Sequence, residues 1–204
     1  MYWEHSMGVD FFIGLFLATL IVALFTSRLY RLILWYSMNS LVLGILALMI
    51  GDALDDKAML ITGIATVVIK AAGIPYMLKH FSEKFHFTRQ IQPQIRTHYA
   101  IILIPAILVF TFYLSEPVTH MIEGNANYVA ISISSLFLAL LLMMEHRHVA
   151  PKIIGFLSME NALFLLGVTA TGGMPMLVEL GIFFDLLMAI VVMNLLFHKE
   201  EVPS

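Results

Sequence analysis

The chain has no cysteine among its 204 residues. It therefore holds no disulfide, no cysteine nucleophile and no thiolate-ligated iron–sulfur cluster of its own. If it serves a redox machine, the electrons travel elsewhere. Charge is the second scarcity: 12% of residues are Asp, Glu, Lys or Arg, while 60% are hydrophobic. A soluble domain of this length cannot hide that much apolar surface, so the bilayer is the solvent this composition calls for. The remaining polar stretches leave no room for a soluble catalytic domain. No phosphate loop, nucleophile triad or metal-ligand spacing is present. The 14 methionines are scattered among apolar positions and read as packing.

What the chain does have is seven apolar runs, at 9–27, 32–50, 58–79, 98–114, 128–144, 152–171 and 176–197. Most are close to the roughly 20 residues a helix needs to cross a bilayer. The expected fold is all-α, a single polytopic membrane domain over 1–204 with seven transmembrane helices. Residues 1–10 carry Glu4 and Asp10 but no Lys or Arg, so the first run reads as a retained helix, not a signal peptide.

Loop charges alternate along the chain. Arg28 and Arg31 follow the first run, and Asp52, Asp55 and Asp56 outweigh Lys57 after the second. Lys79, Lys84, Arg89 and Arg96 follow the third; Glu116 and Glu123 follow the fourth. Arg147 and Lys152 follow the fifth, and the 171–175 loop has no basic residue. The positive-inside rule then sets the N-terminus outside and the C-terminus in the cytoplasm, as in a multi-pass protein of the inner membrane.

A faint internal repeat accompanies this topology. Ser37-Met38-Asn39-Ser40-Leu41 echoes Ser158-Met159-Glu160-Asn161-Ala162-Leu163, and Met59-Leu60 with Gly63-Ile64 echoes Met176-Leu177 with Gly181-Ile182. The expectation is two parallel three-helix units, 9–79 and 128–197, with 98–114 as the linking helix that restores chain direction.

Lys70, Glu160 and Asp185 each fall near the middle of a separate run. A charge at the bilayer centre costs roughly 2.5–3.5 kcal/mol on the most lenient insertion scale, so each calls for a partner or a purpose. Lys70 is about 13 Å from the basic end of its helix, too far to snorkel, and calls for a carboxylate or internal water. Pro75 frees the carbonyl of Ala71 one turn back and opens a polar spot beside Lys70. Asn161 flanks Glu160 and can hold a water or bond a neighbouring helix. Glu179 stands nearer the outer surface, as an entrance group or an interfacial one. Two accounts compete for the central trio. In one, Lys70 pairs with an acid to fix helix register; in the other, the three exchange protons along the membrane plane. Asn39 and Asn194 read first as helix–helix bonds. The eight histidines read as surface groups: His80, His86, His98, His146, His148 and His198 lie at cytoplasmic loops, and His5 and His120 lie outside.

A resemblance runs through these same residues. The stretch Ile154-Gly155-Phe156-Leu157-Ser158-Met159-Glu160-Asn161, then Leu177-Val178-Glu179-Leu180-Gly181-Ile182 with Asp185 and Ala189-Ile190-Val191-Val192-Met193, resembles the component E family of membrane proteins from hydrogenase-4-type complexes. Tyr30-Arg31-Leu32, Ser40-Leu41-Val42-Leu43 and Lys70 followed by Pro75 fit the same pattern. The last three runs are similar to the K-type subunit of respiratory complex I and the C subunit of multi-subunit cation/proton antiporters. In those relatives, buried glutamates on two adjacent helices help carry protons sideways. Glu160 sits about one turn, or about 5 Å, later than the corresponding glutamate, and Asp185 stands in place of the second.

The resemblance implies a non-catalytic subunit of a complex I-like, energy-converting membrane-bound hydrogenase (group 4 type) or related oxidoreductase. Lys70, Glu160 and Asp185 would form a proton or sodium relay, with Glu179, Asn161 and Asn39 as further relay or entrance groups. Implied partners are antiporter-like large membrane subunits, a quinone-site-like membrane subunit and a cytoplasmic redox arm; nucleic acid is not among them. Nickel–iron and iron–sulfur centres would sit in those partners, with no metal or cofactor in this chain. The alternatives are a subunit of a cation/proton antiporter and a purely structural bundle between larger subunits.

Overall fold

A computed structural model describes residues 7–84, 97–119, 126–146 and 148–171. Helix α1 spans Met7–Leu24 and α2 spans Leu29–Leu54. Helix α3, Lys57–Ala65, runs through a π-helical segment, Thr66–Gly73, into α4, Ile74–Lys84. Then come α5, Thr97–Thr119, α6, Ala126–Glu145, and α7, Val149–Thr171. The described residues contain no strand.

Among the described residues, five stretches are long and apolar enough to cross a membrane: Met7–Leu24, Leu29–Leu54, Lys57–His80, Asn127–Glu145 and Val149–Ala170. They coincide with five of the seven runs. The fourth run falls in α5, whose apolar part, Ala100–Ser115, is shorter. The seventh run, 176–197, lies outside the described residues, as do the loops holding Arg89, Arg96, Glu123 and Arg147.

The turn between α2 and α3 shows how tightly the hairpins close. Asp55 takes a left-handed conformation, φ 51°, which Asp tolerates better than most side chains. Asp56 then caps α3, its carboxylate accepting from the backbone N–H of Ala58 at 2.9 Å and Met59 at 3.4 Å. The two acids that read as loop charge thus also build the corner.

Helices α1 and α2 pack together, as do α6 and α7; the two hairpins meet with α1 on α6 and α2 on α7. Lipid tails supply no hydrophobic drive between helices, so close approach must come from small residues. A Cβ added at Gly155 on α7 would lie 2.8 Å from the backbone of Met143 on α6. On the other hairpin, Gly44 of α2 leaves room for Val67 of the π-helical segment, whose Cγ2 would lie 2.5 Å from an added Cβ.

The apolar interior divides into two halves. One gathers Ile13, Phe16, Leu43, Leu46, Met59, Ala162 and Leu165. The other gathers Leu24, Leu32, Tyr36, Leu78, Leu142, Ile154 and Leu157. Between them along α2 come Ser37, Asn39 and Ser40; along the third span, Thr66 and Lys70; along α7, Ser158, Glu160 and Asn161. The buried serines of α6, Ser132, Ser134 and Ser135, also fall in this gap. A polar seam therefore crosses the bundle at mid-height.

Gly155→Ala should destabilise the protein by about 1–3 kcal/mol, because backbone atoms of Met143 stand where the methyl must go. Gly14, with nothing within 4 Å of an added Cβ, is the control. Gly14→Ala should be neutral or gain up to about 1 kcal/mol from helix propensity. Unfolding of the two variants in detergent checks the contrast.

Candidate functional site

The seam is organised around a break in regular helix. In the π-helical segment the N–H groups reach back five residues, as in the bond from Ile74 N–H to Ile69 O. Such segments widen the helix and are frequent at functional sites. Pro75 follows immediately and has no N–H to return. The carbonyl of Ala71, one turn before it, accepts a short hydrogen bond from the Ser37 hydroxyl of α2. A neighbouring helix thus supplies the donor that the proline withholds.

Lys70 projects from this segment into the interior, its side chain 4% exposed. Its Nζ lies 3.2 Å from Glu160 Oε1 on α7, and the Glu160 side chain is 10% exposed. The same Nζ donates to Asn161 Oδ1 at 3.2 Å. Glu160 is about 17 Å along α7 from its first residue, near the middle of the span.

From Lys70 a chain of hydrogen bonds runs in one direction. Asn161 Nδ2 donates to Asn39 Oδ1 at 3.1 Å and to Ser40 Oγ at 2.9 Å, both on α2. Asn39 Nδ2 donates to Thr19 Oγ1 at 2.9 Å and to the Phe16 carbonyl at 3.2 Å, both on α1. Thr19 closes the chain, its hydroxyl donating to Phe16 O at 2.7 Å. Every carbonyl or hydroxyl oxygen in the series faces back toward Lys70. The aligned dipoles solvate the ammonium from one side while the Glu160 carboxylate neutralises it from the other.

The arrangement can do two things chemically. It holds a lysine and a carboxylate within hydrogen-bond distance in an apolar slab, where gain or loss of one proton changes the local charge completely. It also ties α1, α2, α7 and the third span together at one height. Lys70, Glu160, Asn161 and Asn39 therefore meet in one cluster. Glu179, Asp185 and Asn194 lie outside the described residues. Thr19, Ser37 and Ser40 take part without having been site candidates, Ser37 and Ser40 having stood out only through the repeat, since lone hydroxyls in apolar helices usually bond their own backbone. Another such pair, Thr111 and Ser134, joins α5 to α6.

One histidine departs from its expected surface position. His146, just beyond α6, is 1% exposed. Its Nδ1 lies 3.1 Å from the carbonyl of Leu142, one helical turn back, which folds the ring against the helix end. The neighbouring Glu145 is buried as well. Adjacent loop charges such as Arg28 and Lys152 made this end of the bundle look solvated throughout, but both of those side chains are exposed while the pair is not. The sequence signal was an acid and an imidazole terminating an apolar run.

Lys70→Met should cost about 3–5 kcal/mol, because Glu160 would lose its counter-ion while staying buried. The double variant Lys70→Met with Glu160→Leu should recover most of that loss, which a double-mutant cycle of unfolding in detergent would reveal. His146 adds a pH dependence. Burial holds its imidazole below the ordinary 6.5, the bond to Leu142 opposes this, and the charge of His148 reinforces it. The contribution to stability is then present above about pH 6.5 and lost as pH falls through the lower native value. The melting temperature should fall on acidification, and His146→Leu should flatten that slope.

No protein-family profile matches the chain, and no solved structure matches it. Among curated proteins, an uncharacterized protein of Mycobacterium tuberculosis is 24% identical over 195 residues, covering 95% of this chain and 89% of that protein. Hydrogenase-4 component E of Escherichia coli K12 is 24% identical over 196 residues, covering 95% of this chain and 90% of the relative. Hydrogenase-4 component E of Shigella flexneri matches to the same extent. The likeness to hydrogenase-4 component E is therefore weak in identity but extends over nearly the whole of both chains.

Proposed function

We propose that this protein is a multi-pass membrane subunit of a complex I-like, energy-converting hydrogenase or related oxidoreductase, and that it carries protons or sodium ions along the membrane plane. The observation behind this reading is the Lys70–Glu160 contact at 3.2 Å within the buried seam. A pair needed only to fix register could be replaced by uncharged side chains at little cost, because burying two charges is itself expensive. The end-to-end likeness to hydrogenase-4 component E supports the assignment to such a complex.

In this reading Glu160 and Lys70 form one station of the relay and Asp185 the next. A proton arriving on Glu160 weakens its hold on Lys70; the ammonium then releases its own proton onward, and the pair resets. Asn161 and Asn39 position Lys70, and Glu179 serves as an entrance group. Residues 9–79 and 128–197 are two parallel three-helix units joined through 98–114, with the N-terminus outside and the C-terminus in the cytoplasm of the inner membrane. Antiporter-like and quinone-site-like partners continue the relay on either side. A cytoplasmic arm of further partners, with its nickel–iron and iron–sulfur centres, drives it.

The test is substitution in the assembled complex. Glu160→Gln and Asp185→Asn should leave assembly intact and reduce ion translocation per electron transferred. Normal translocation in both variants would overturn the relay. Loss of assembly in either would favour the structural role.

A further inference from the structure

Among the described residues, the mid-membrane cluster leaves one buried acid unused. Glu145 is the last residue of α6, and its residue is 3% exposed. Its Oε2 is fully buried and has no hydrogen-bond partner among the described residues. An ionised carboxylate with one oxygen in that condition is costly, because neither water nor a donor reaches that oxygen. Its place on the helix adds to the cost. The C-terminal end of a helix carries the negative pole of the macrodipole and unsatisfied carbonyls, both of which repel an anion. A protonated carboxyl has neither difficulty, since it is neutral and its O–H can donate to those carbonyls.

Among the described residues, the nearby groups do not supply a counter-ion. His146 is held in its neutral form at physiological pH by burial. His148 and Lys152 at the start of α7, and Arg28 in the turn after α1, are exposed side chains. In α5, residues 100–104 near this end carry no charged residue, and His98 precedes them at the helix start. Leu141 and Leu142, one turn back on α6, belong to the apolar half of the core that also holds Ile154.

We propose that Glu145 is a proton-binding site at the basic-loop end of the bundle, distinct from the Lys70–Glu160 cluster. The step is simple: a hydronium ion in the adjoining water gives up a proton and becomes water, one of its O–H bonds breaking as the carboxyl O–H forms, and no electron moves. The group lies at the end of its span, where water comes within reach after a small fraying of the last turn. It is thus suited to take up or give back a proton at the membrane surface. It does not depend on the relay reading, because it rests on a different helix end and different contacts.

Infrared absorption of the full-length protein in lipid nanodiscs tests it, with the glutamate carboxyl carbons labelled by carbon-13. At neutral pH the wild type should show a protonated-carboxyl C=O band that shifts in heavy water. Glu145→Gln should lose the part of that band due to this residue, while Glu160→Gln should keep it. Glu145→Asp, a milder change, should move the signal into the aspartate pool when aspartate is labelled instead. The same protonated-carboxyl intensity in wild type and Glu145→Gln, or no new aspartate band in Glu145→Asp, would overturn the proposal. So would carboxylate bands of Glu145 that respond to sodium with no protonated form. Loss of translocation in Glu160→Gln bears only on the mid-membrane relay.

Discussion

An ammonium and a carboxylate held 3.2 Å apart in an apolar slab are the constraint to which the other mid-membrane groups answer. Neither charge can stay at that depth alone. Their meeting requires the third span and α7 to approach α2 at one height, which sets small residues and hydroxyls at the crossing points. Gly44 beside Val67 lets α2 approach the third span, Gly155 beside Met143 seats α7 on α6, and Ser37 covers the carbonyl that Pro75 leaves open. The π-helical segment is the backbone's contribution: the wider turn sets Lys70 toward α7 without a longer side chain.

The seam also has a direction. Its members fall between two apolar halves of the core and not along the axis of a single helix. Hydroxyls and amides on α1, α2, α6 and α7 join the two charged residues at comparable height. A layer of this kind favours communication between neighbouring spans over passage from one membrane face to the other. That geometry is what a protein working between larger neighbours would use.

The spans were legible because lipid imposes both length and apolar composition on any helix that crosses it, and the five described crossings lie within a few residues of their apolar runs. The freed carbonyl of Ala71 was legible for a covalent reason: proline has no N–H. The partners across the bundle were not. Nothing in the local pattern around Asn39 says that its oxygen accepts from a residue more than a hundred positions away, since helical periodicity gives a face and not a neighbour. The π-helical segment left no composition signal, being another run of valine, isoleucine and alanine. His146 and Glu145 were obscured by the basic residues near them, because charge counted by loop cannot tell which side chains turn inward.

The hydrogen-bond series from Lys70 through Asn161 and Asn39 to Thr19 ends on the carbonyl of Phe16. A carboxylic acid or a water can accept a proton on one side and release another from the far side. An amide must pass through a high-energy tautomer to do so, and a backbone carbonyl has no proton to hand on. Two amides in a row, terminated by a carbonyl, therefore behave as electrical insulation. A proton on Lys70 cannot leave along this series toward α1. The same atoms that stabilise the ammonium also seal one flank of the bundle against proton leak, which any membrane holding a proton gradient must avoid.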